Sequence, residues 1–248
     1  MALGLNRAPT APPLPPLAEQ REFWDERWTR QLYPKYFQTR RGETVLAILQ
    51  TLRLTNPQIL DFGCGPGWFT ERLSHVGRAV GIDLSPAAIA FAQATYPSIP
   101  FIAGNVYEST FPDDHFDVVV SQEVVAHVED PPAYLDIIAR ILKPNGYLII
   151  TSANRLVMQR WDHGGPDPDA HLKLYPSRRQ FKQILQRRFR VLWTTSIMPV
   201  GDRGFLRLVN SYKLNKALGW VIPERYLERL KEWAGLGYTL IALAQKRP

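Results

Sequence analysis

Three glycines and two carboxylates are the residues of this sequence whose spacing most directly suggests chemistry. The apolar run Ile59-Leu60 ends in Asp61, and Gly63, Gly65 and Gly67 follow at alternate positions, with Cys64 and Pro66 between them. A helix pattern opens at once after the loop. A second apolar run, Ala79-Val80-Gly81-Ile82, ends in Asp83, twenty residues beyond Gly63. Glycines let a backbone approach a ligand closely, and a carboxylate closing the next strand can accept hydrogen bonds from ribose hydroxyls. Together these residues predict a pocket for an adenosine-bearing ligand.

The nature of that ligand is narrowed by what the loop lacks. A nicotinamide-dinucleotide loop places a third glycine at the sixth position, where helix and strand pack closely. Counted from Gly63 that position is Trp68, too large for the purpose. No G-x-x-x-x-G-K-[ST] sequence is present to cradle a nucleoside triphosphate. The lone Cys64 reads as a small residue at a tight turn. With no second cysteine to pair with, it suits a reducing cytoplasm, the location expected here.

The elements that must position these residues alternate from about residue 40 onward, which predicts a mostly parallel sheet covered on both faces. Strands are expected at 58–63, 79–83, 99–103, 117–121 and 147–151, with Leu142-Lys-Pro-Asn-Gly146 as a turn before the last of these. Ser85-Pro86 and Asp130-Pro131 have the chemistry of helix starts. Residues 153–176 read as a long irregular loop. A helix capped by Ser177, with Phe181, Ile184 and Leu185 inward, comes next. Two further strands are expected at 189–197 and 238–245, separated by a helical insertion over 203–235. Residues 1–18 form a proline-rich tail, expected to be flexible, and 19–248 a single domain whose cofactor-binding core is 40–152.

Charge is unevenly distributed. Residues 57–151 carry 4 basic and 11 acidic side chains, whereas 152–248 carry 18 basic and 7 acidic. A basic third of this kind can draw in anions or nucleic acid. No aromatic-interleaved basic run accompanies it, so nucleic acid is not the partner expected first. The pairs Arg178-Arg179 and Arg187-Arg188 read as a solvated helix face. No run of apolar residues is long enough to span a bilayer, and no tight cluster of ligating side chains predicts a metal.

The pattern Asp-x-Gly-x-Gly-x-Gly at 61–67 resembles the first motif of the class I S-adenosylmethionine-dependent methyltransferases. Four further pieces follow in that family's order through residue 151. They are Asp83-Leu84, Gly104-Asn105-Val106, the segment from Phe116 to Pro131 that includes Gln122, and Leu142-Lys-Pro-Asn-Gly146 with its strand. The resemblance is to the broad group that includes ubiquinone-pathway and natural-product enzymes. It implies an α/β, Rossmann-like, doubly wound sheet of seven strands, with the last strand antiparallel and the helical insertion before it. It further implies S-adenosylmethionine as cofactor. Asp61 would anchor the amino-acid end, and the loop Gly63, Cys64, Gly65 and Gly67 would lie against the ligand. Asp83 would take the ribose hydroxyls and Leu84 the adenine face, with Asn105, Val106 and Gln122 completing the binding set. Asn105 stands where the family usually has aspartate, and its amide can still accept from the adenine amino group.

His127 follows the fourth strand, where the mouth of an open α/β sheet lies, and is the candidate general base; ordering of its own loop is the alternative. His163 and His171 are candidates for the acceptor pocket or for plain surface residues. Trp24, Trp28 and Tyr33 either cover the cofactor or pack on the core. The function expected is methyl transfer to a small organic acceptor, most readily at oxygen, with 153–176 and 203–235 shaping the acceptor pocket. An RNA methyltransferase using the basic C-terminal third and a non-catalytic cofactor-binding protein are the alternatives. The oligomeric state is left open by the sequence.

Overall fold

The apolar run before the glycine loop becomes an inner strand of a seven-stranded sheet. The computed structural model describes residues 16–108, 110–161 and 175–247. Its strands are β1 (Gln58–Phe62), β2 (Arg78–Asp83), β3 (Phe101–Ala103), β4 (Phe116–Gln122), β5 (Leu142–Ala153), β6 (Phe189–Pro199) and β7 (Gly237–Lys246), in the sheet order β3-β2-β1-β4-β5-β7-β6. The pairs β1–β2, β1–β4, β2–β3 and β4–β5 are parallel, and β7 runs antiparallel to both β5 and β6. The strand order reverses between β1 and β4. That is the crevice where open α/β sheets bind ligands.

Alternation along the strands explains why both faces are covered. Ile59, Val118 and Val120 point to one face, where they meet Val45, Leu49, Phe69 and Leu73. Leu60, Phe62 and Val119 point to the other, against Tyr134, Leu135 and Ile138. The first group packs against α2 (Tyr36–Thr51) and α3 (Trp68–Ser74), and the second against α5 (Pro131–Ile141). Asp130 caps α5 by accepting from the Ala133 amide at 3.0 Å, with Pro131 in the first turn. Helix α4 (Pro86–Thr95) starts the same way, with Ser85 Oγ accepting from the Ala88 amide at 3.0 Å. The helix α1 (Leu17–Arg30) precedes all of these and buries none of its residues fully.

Three details depart from the sequence expectation. Strand β5 begins at Leu142, not at Tyr147, because Leu142 already pairs with Phe116. Asn145 takes up a left-handed conformation (φ 62°) within the irregularity that follows, so the turn-like residues are absorbed into the ladder. The expected loop after β5 opens with a short helix, α6 (Arg155–Met158), capped by the Asn154 side chain. His163 and His171 lie outside the described residues, as does most of the expected N-terminal tail.

Helix α7 (Arg178–Leu185) has the expected Ser177 cap, completed by Gln180, whose Oε1 accepts from the Ser177 amide at 3.0 Å. The arginine pairs are more than a solvated face. Arg178 Nη1 donates to the Trp233 carbonyl at 2.6 Å, and Arg188 forms a two-pronged pair with Asp136 at 2.6 and 2.9 Å. The helical insertion divides into α8 (Gly204–Val209), α9 (Tyr212–Gly219) and α10 (Glu224–Trp233). Among the described residues no helix is long and apolar enough to cross a membrane.

Candidate functional site

The glycine loop is held by the end of β2. The amides of Gly63 and Cys64 both donate to the Ile82 carbonyl, at 2.8 and 3.0 Å. Asp83 Oδ2 accepts from the Gly65 amide at 2.8 Å, and Oδ1 from the Ser85 amide at 3.0 Å. All three loop glycines have positive φ (88°, 52° and 83°). A Cβ on Gly63 would lie 2.2 Å from Val124 Cγ2, and one on Gly65 would lie 2.8 Å from the Trp28 ring. The third glycine serves a different end. A Cβ on Gly67 would lie 2.8 Å from Ala92 and Phe101, and Gly67 is absent from the cavity wall. The close helix–strand approach that Trp68 cannot provide is supplied one residue earlier.

Above the loop lies a cavity of about 1230 Å³. Asp61, Gly63, Cys64, Gly65, Asp83, Leu84, Asn105, Val106, Gln122 and His127 all line it, so the structure gathers every expected site residue except Gly67. Asn105 already uses both ends of its amide, accepting from the Tyr107 amide and donating to Glu108, each at 3.1 Å. Gln122 Oε1 accepts from Arg41 Nε at 3.1 Å.

Electrostatics at the loop are anionic. Asp61 is almost fully buried at the end of β1, and Thr70 Oγ1 donates to its Oδ2 at 2.7 Å. Burial pushes its carboxyl up from 3.8 to about 7 against that hydrogen bond, and the Asp83 charge adds to the rise. Asp83 is raised too, chiefly by burial, although the Ser85 and Gly65 amides oppose the shift. Neither carboxylate has a Lys or Arg partner among the described residues. Two uncompensated buried carboxylates repel phosphate; they suit a ligand that brings positive charge and hydroxyl donors. Burial and the same two charges hold the Cys64 thiol well above its ordinary value, so it stays protonated and fills space.

Helix α1 closes one side. Asp25 Oδ1 accepts from Ser85 Oγ and, at 3.1 Å, from the Ala87 amide, which fastens α1 to the start of α4. Trp28 then lies over Gly65, and Trp24 meets the His127 ring edge-on at 5.1 Å. The Trp28 Nε1 is buried and has no hydrogen-bond partner among the described residues. The two tryptophans therefore take the covering position and not a place in the core. Tyr33 does neither; it is 73% exposed beyond the end of α1.

Another wall draws Met158, Trp161 and Tyr175 from the 153–176 segment expected to shape the acceptor pocket, and adds Phe37 and Tyr238, which were not expected there. Phe37, Trp161 and Tyr238 touch one another with ring centroids 5.3–5.5 Å apart, and Met158 and Tyr175 stand on the same cavity. Arg41 and Glu123 form an ion pair at 3.7 Å, and Thr151 Oγ1 donates to Glu123 at 2.9 Å. Glu123 is held at φ 62°, directly after β4. Burial and the Glu123 charge push the Tyr238 hydroxyl up to about 12, so it remains a donor. A faint signal existed, since Phe37 and Arg41 sit four apart on one helix face.

Residues 60–150 match the family described as a methyltransferase domain. A probable S-adenosylmethionine-dependent methyltransferase of Mycolicibacterium smegmatis is 32% identical over 105 residues, covering 42% of this chain and 41% of that protein. A ubiquinone biosynthesis O-methyltransferase of Bradyrhizobium diazoefficiens is 37% identical over 103 residues, 40% of each. The chain thus spans about two fifths of the length of the curated relatives it matches. The crystal structure of geranyl diphosphate C-methyltransferase from Streptomyces coelicolor aligns with a TM-score of 0.62 at 15% identity, over 95% of this chain and all of that one. At that identity the likeness is one of fold.

Proposed function

We propose that this chain, whose glycine-loop domain belongs to the class I S-adenosylmethionine-dependent methyltransferases, moves a methyl group to an oxygen of a small organic acceptor. The observation that carries the reading is one continuous cavity. It runs from the buried carboxylates past His127 to the aromatic wall of Phe37, Trp161 and Tyr238. Its volume of about 1230 Å³ exceeds the range of roughly 300–1,000 Å³ usual for one ligand, which supports room for a cofactor and an acceptor together.

S-adenosylmethionine, the cofactor, supplies a methyl already activated on a sulfonium. The residues present fit it. Asp61 and Asp83 offer uncompensated negative charge to its cationic end and acceptors to its ribose hydroxyls. The bare backbone at Gly63 and Gly65 admits close approach, and Leu84 gives an apolar surface for the base. With a good leaving group already in place, positioning and exclusion of water are what the protein must add. Trp24, Trp28 and the aromatic wall provide both. His127, edge-on to Trp24 on the same cavity, takes the proton from an acceptor hydroxyl. The Tyr238 hydroxyl orients a polar atom of the acceptor by donating to it.

Calorimetry with S-adenosylhomocysteine, followed by methyl-transfer assays on panels of phenols, carboxylic acids and amines, tests this reading. Tight product binding with transfer to a phenol is the result expected. Absence of binding, or transfer confined to RNA, would overturn it.

A further inference from the structure

The insertion α8–α10 turns Asn215, Lys231 and Glu232 toward the fold and leaves most of its large apolar groups exposed. Asn215 is the hub of the polar side. Its Nδ2 donates to the carbonyls of Val209 and Ser211, at 3.1 and 2.8 Å, and its Oδ1 accepts from Lys231 Nζ at 2.8 Å. Glu232 ties α10 to β6, its Oε1 accepting from the Met198 amide at 3.3 Å and its carbonyl from Ser196 Oγ at 2.7 Å. Only Leu206 and Leu227 are buried apolar residues in the three helices.

The outer side is the reverse of what a solvent-facing hairpin shows. On α10, Tyr226, Leu230 and Trp233 stand at i, i+4 and i+7, hence on one face, and are 48%, 56% and 71% exposed. The turn before α10 presents Trp220 and Val221 at 88% and 84%, and Tyr212 at the start of α9 is 76% exposed. Ten of the 18 exposed large hydrophobic residues among the described residues lie from Phe205 to Trp233. Cations are set against these rings, with Lys216 Nζ 5.8 Å from the Tyr212 centroid and Arg225 Cζ 5.0 Å from that of Tyr226. From 205 to 233 there are six Lys or Arg against three Glu.

We propose that this face docks on an anionic lipid bilayer, with Trp220 and Val221 entering the headgroup boundary and Lys213, Lys216, Arg225 and Arg229 lying among the headgroups. Tryptophan and tyrosine beside lysine and arginine are the side chains that partition to such a boundary. Charge decides against a second copy, because an isologous pair would set the same basic patch against itself. The placement also has a use. The Arg160 carbonyl accepts from the amides of Asp202 and Arg203, at 3.0 and 3.1 Å, so the insertion is fixed one residue from Trp161 of the cavity wall.

Cosedimentation of the full chain with vesicles tests this, using pure phosphatidylcholine against equal parts phosphatidylcholine and phosphatidylglycerol. The anionic vesicles should bind the protein, and added salt should weaken that binding. The double variant Trp220→Ser/Val221→Ser should bind roughly tenfold or more weakly, and Lys213→Gln/Lys216→Gln should lose the preference for anionic lipid. Unchanged circular dichroism and S-adenosylhomocysteine binding in both variants confirm their folding. No binding of the intact chain to either vesicle would overturn the proposal, as would equal binding by the variants. Sedimentation velocity supplies a further refutation, namely a dimer of the intact chain that Trp220→Ser/Val221→Ser dissociates.

Discussion

Asp61→Asn should stabilise the ligand-free protein, and should do so more as the pH rises. The buried carboxyl of Asp61 holds its proton up to about 7, whereas the unfolded chain releases it near 3.8. Between those two values the folded protein binds the extra proton, so this group makes stability fall as the pH rises, with no further loss above about 7. Each pH unit inside the window is worth roughly 1.4 kcal/mol, so wild type loses about 3 kcal/mol from this site between about pH 5 and about pH 8. Asparagine cannot titrate, and its Oδ1 can keep the hydrogen bond from Thr70 Oγ1. The stability gap between variant and wild type should therefore widen by about 3 kcal/mol over that interval, read from urea unfolding at the two pH values. Saturating S-adenosylhomocysteine should narrow the gap again, because the variant loses the charge proposed to meet the ligand's ammonium. A gap equal at both pH values, or one that shrinks as the pH rises, would refute the assignment of an uncompensated buried carboxyl to this site.

Other perturbations read other parts of the site. Asp83→Ala removes the acceptor of the Gly65 and Ser85 amides together with the proposed ribose contact, and calorimetry should show S-adenosylhomocysteine affinity at least about a hundredfold lower. Gly67→Ala forces an L-residue to φ 83° and presses a methyl on Ala92 and Phe101; it should cost roughly 2–4 kcal/mol, seen as a lower melting temperature. His127→Ala should lower kcat by about a hundredfold or more with a phenolic acceptor. Unchanged turnover from pH 6 to 9 would instead assign His127 to ordering its loop.

How much of this could be read from the sequence depended on whether a residue's role was local. The glycine loop and Asp83 were legible because backbone geometry and strand length fix their types and spacing, and ten of the eleven expected site residues do share one cavity. Gly67 lies off the cavity wall against Ala92 and Phe101, and a glycine beside a ligand and a glycine beside a packed helix leave the same mark in a sequence. The aromatic wall was legible only through Trp161, in the segment expected to shape the acceptor pocket. Phe37 and Tyr238 come from segments about two hundred residues apart, and the packing of α2 on the sheet brings them together. Lys143-Pro-Asn-Gly146 spelled a turn, and the pairing of Leu142 with Phe116 overrode that local preference.

The solitary cysteine makes this protein its own reporter. Cys64 is 6% exposed, its thiol is held protonated, and its loop lies under Trp28 of α1. The sulfur faces Gly81 of β2 and packs with Ile89, Ala92 and Phe101, so a thiol reagent reaches it only when the packing of the loop on β2 and α4 opens. The rate of single-site labelling thus measures how often the binding crevice breathes, with no engineered probe. Bound S-adenosylhomocysteine should slow the labelling, and cutting the Asp25 tether with Asp25→Ala should speed it.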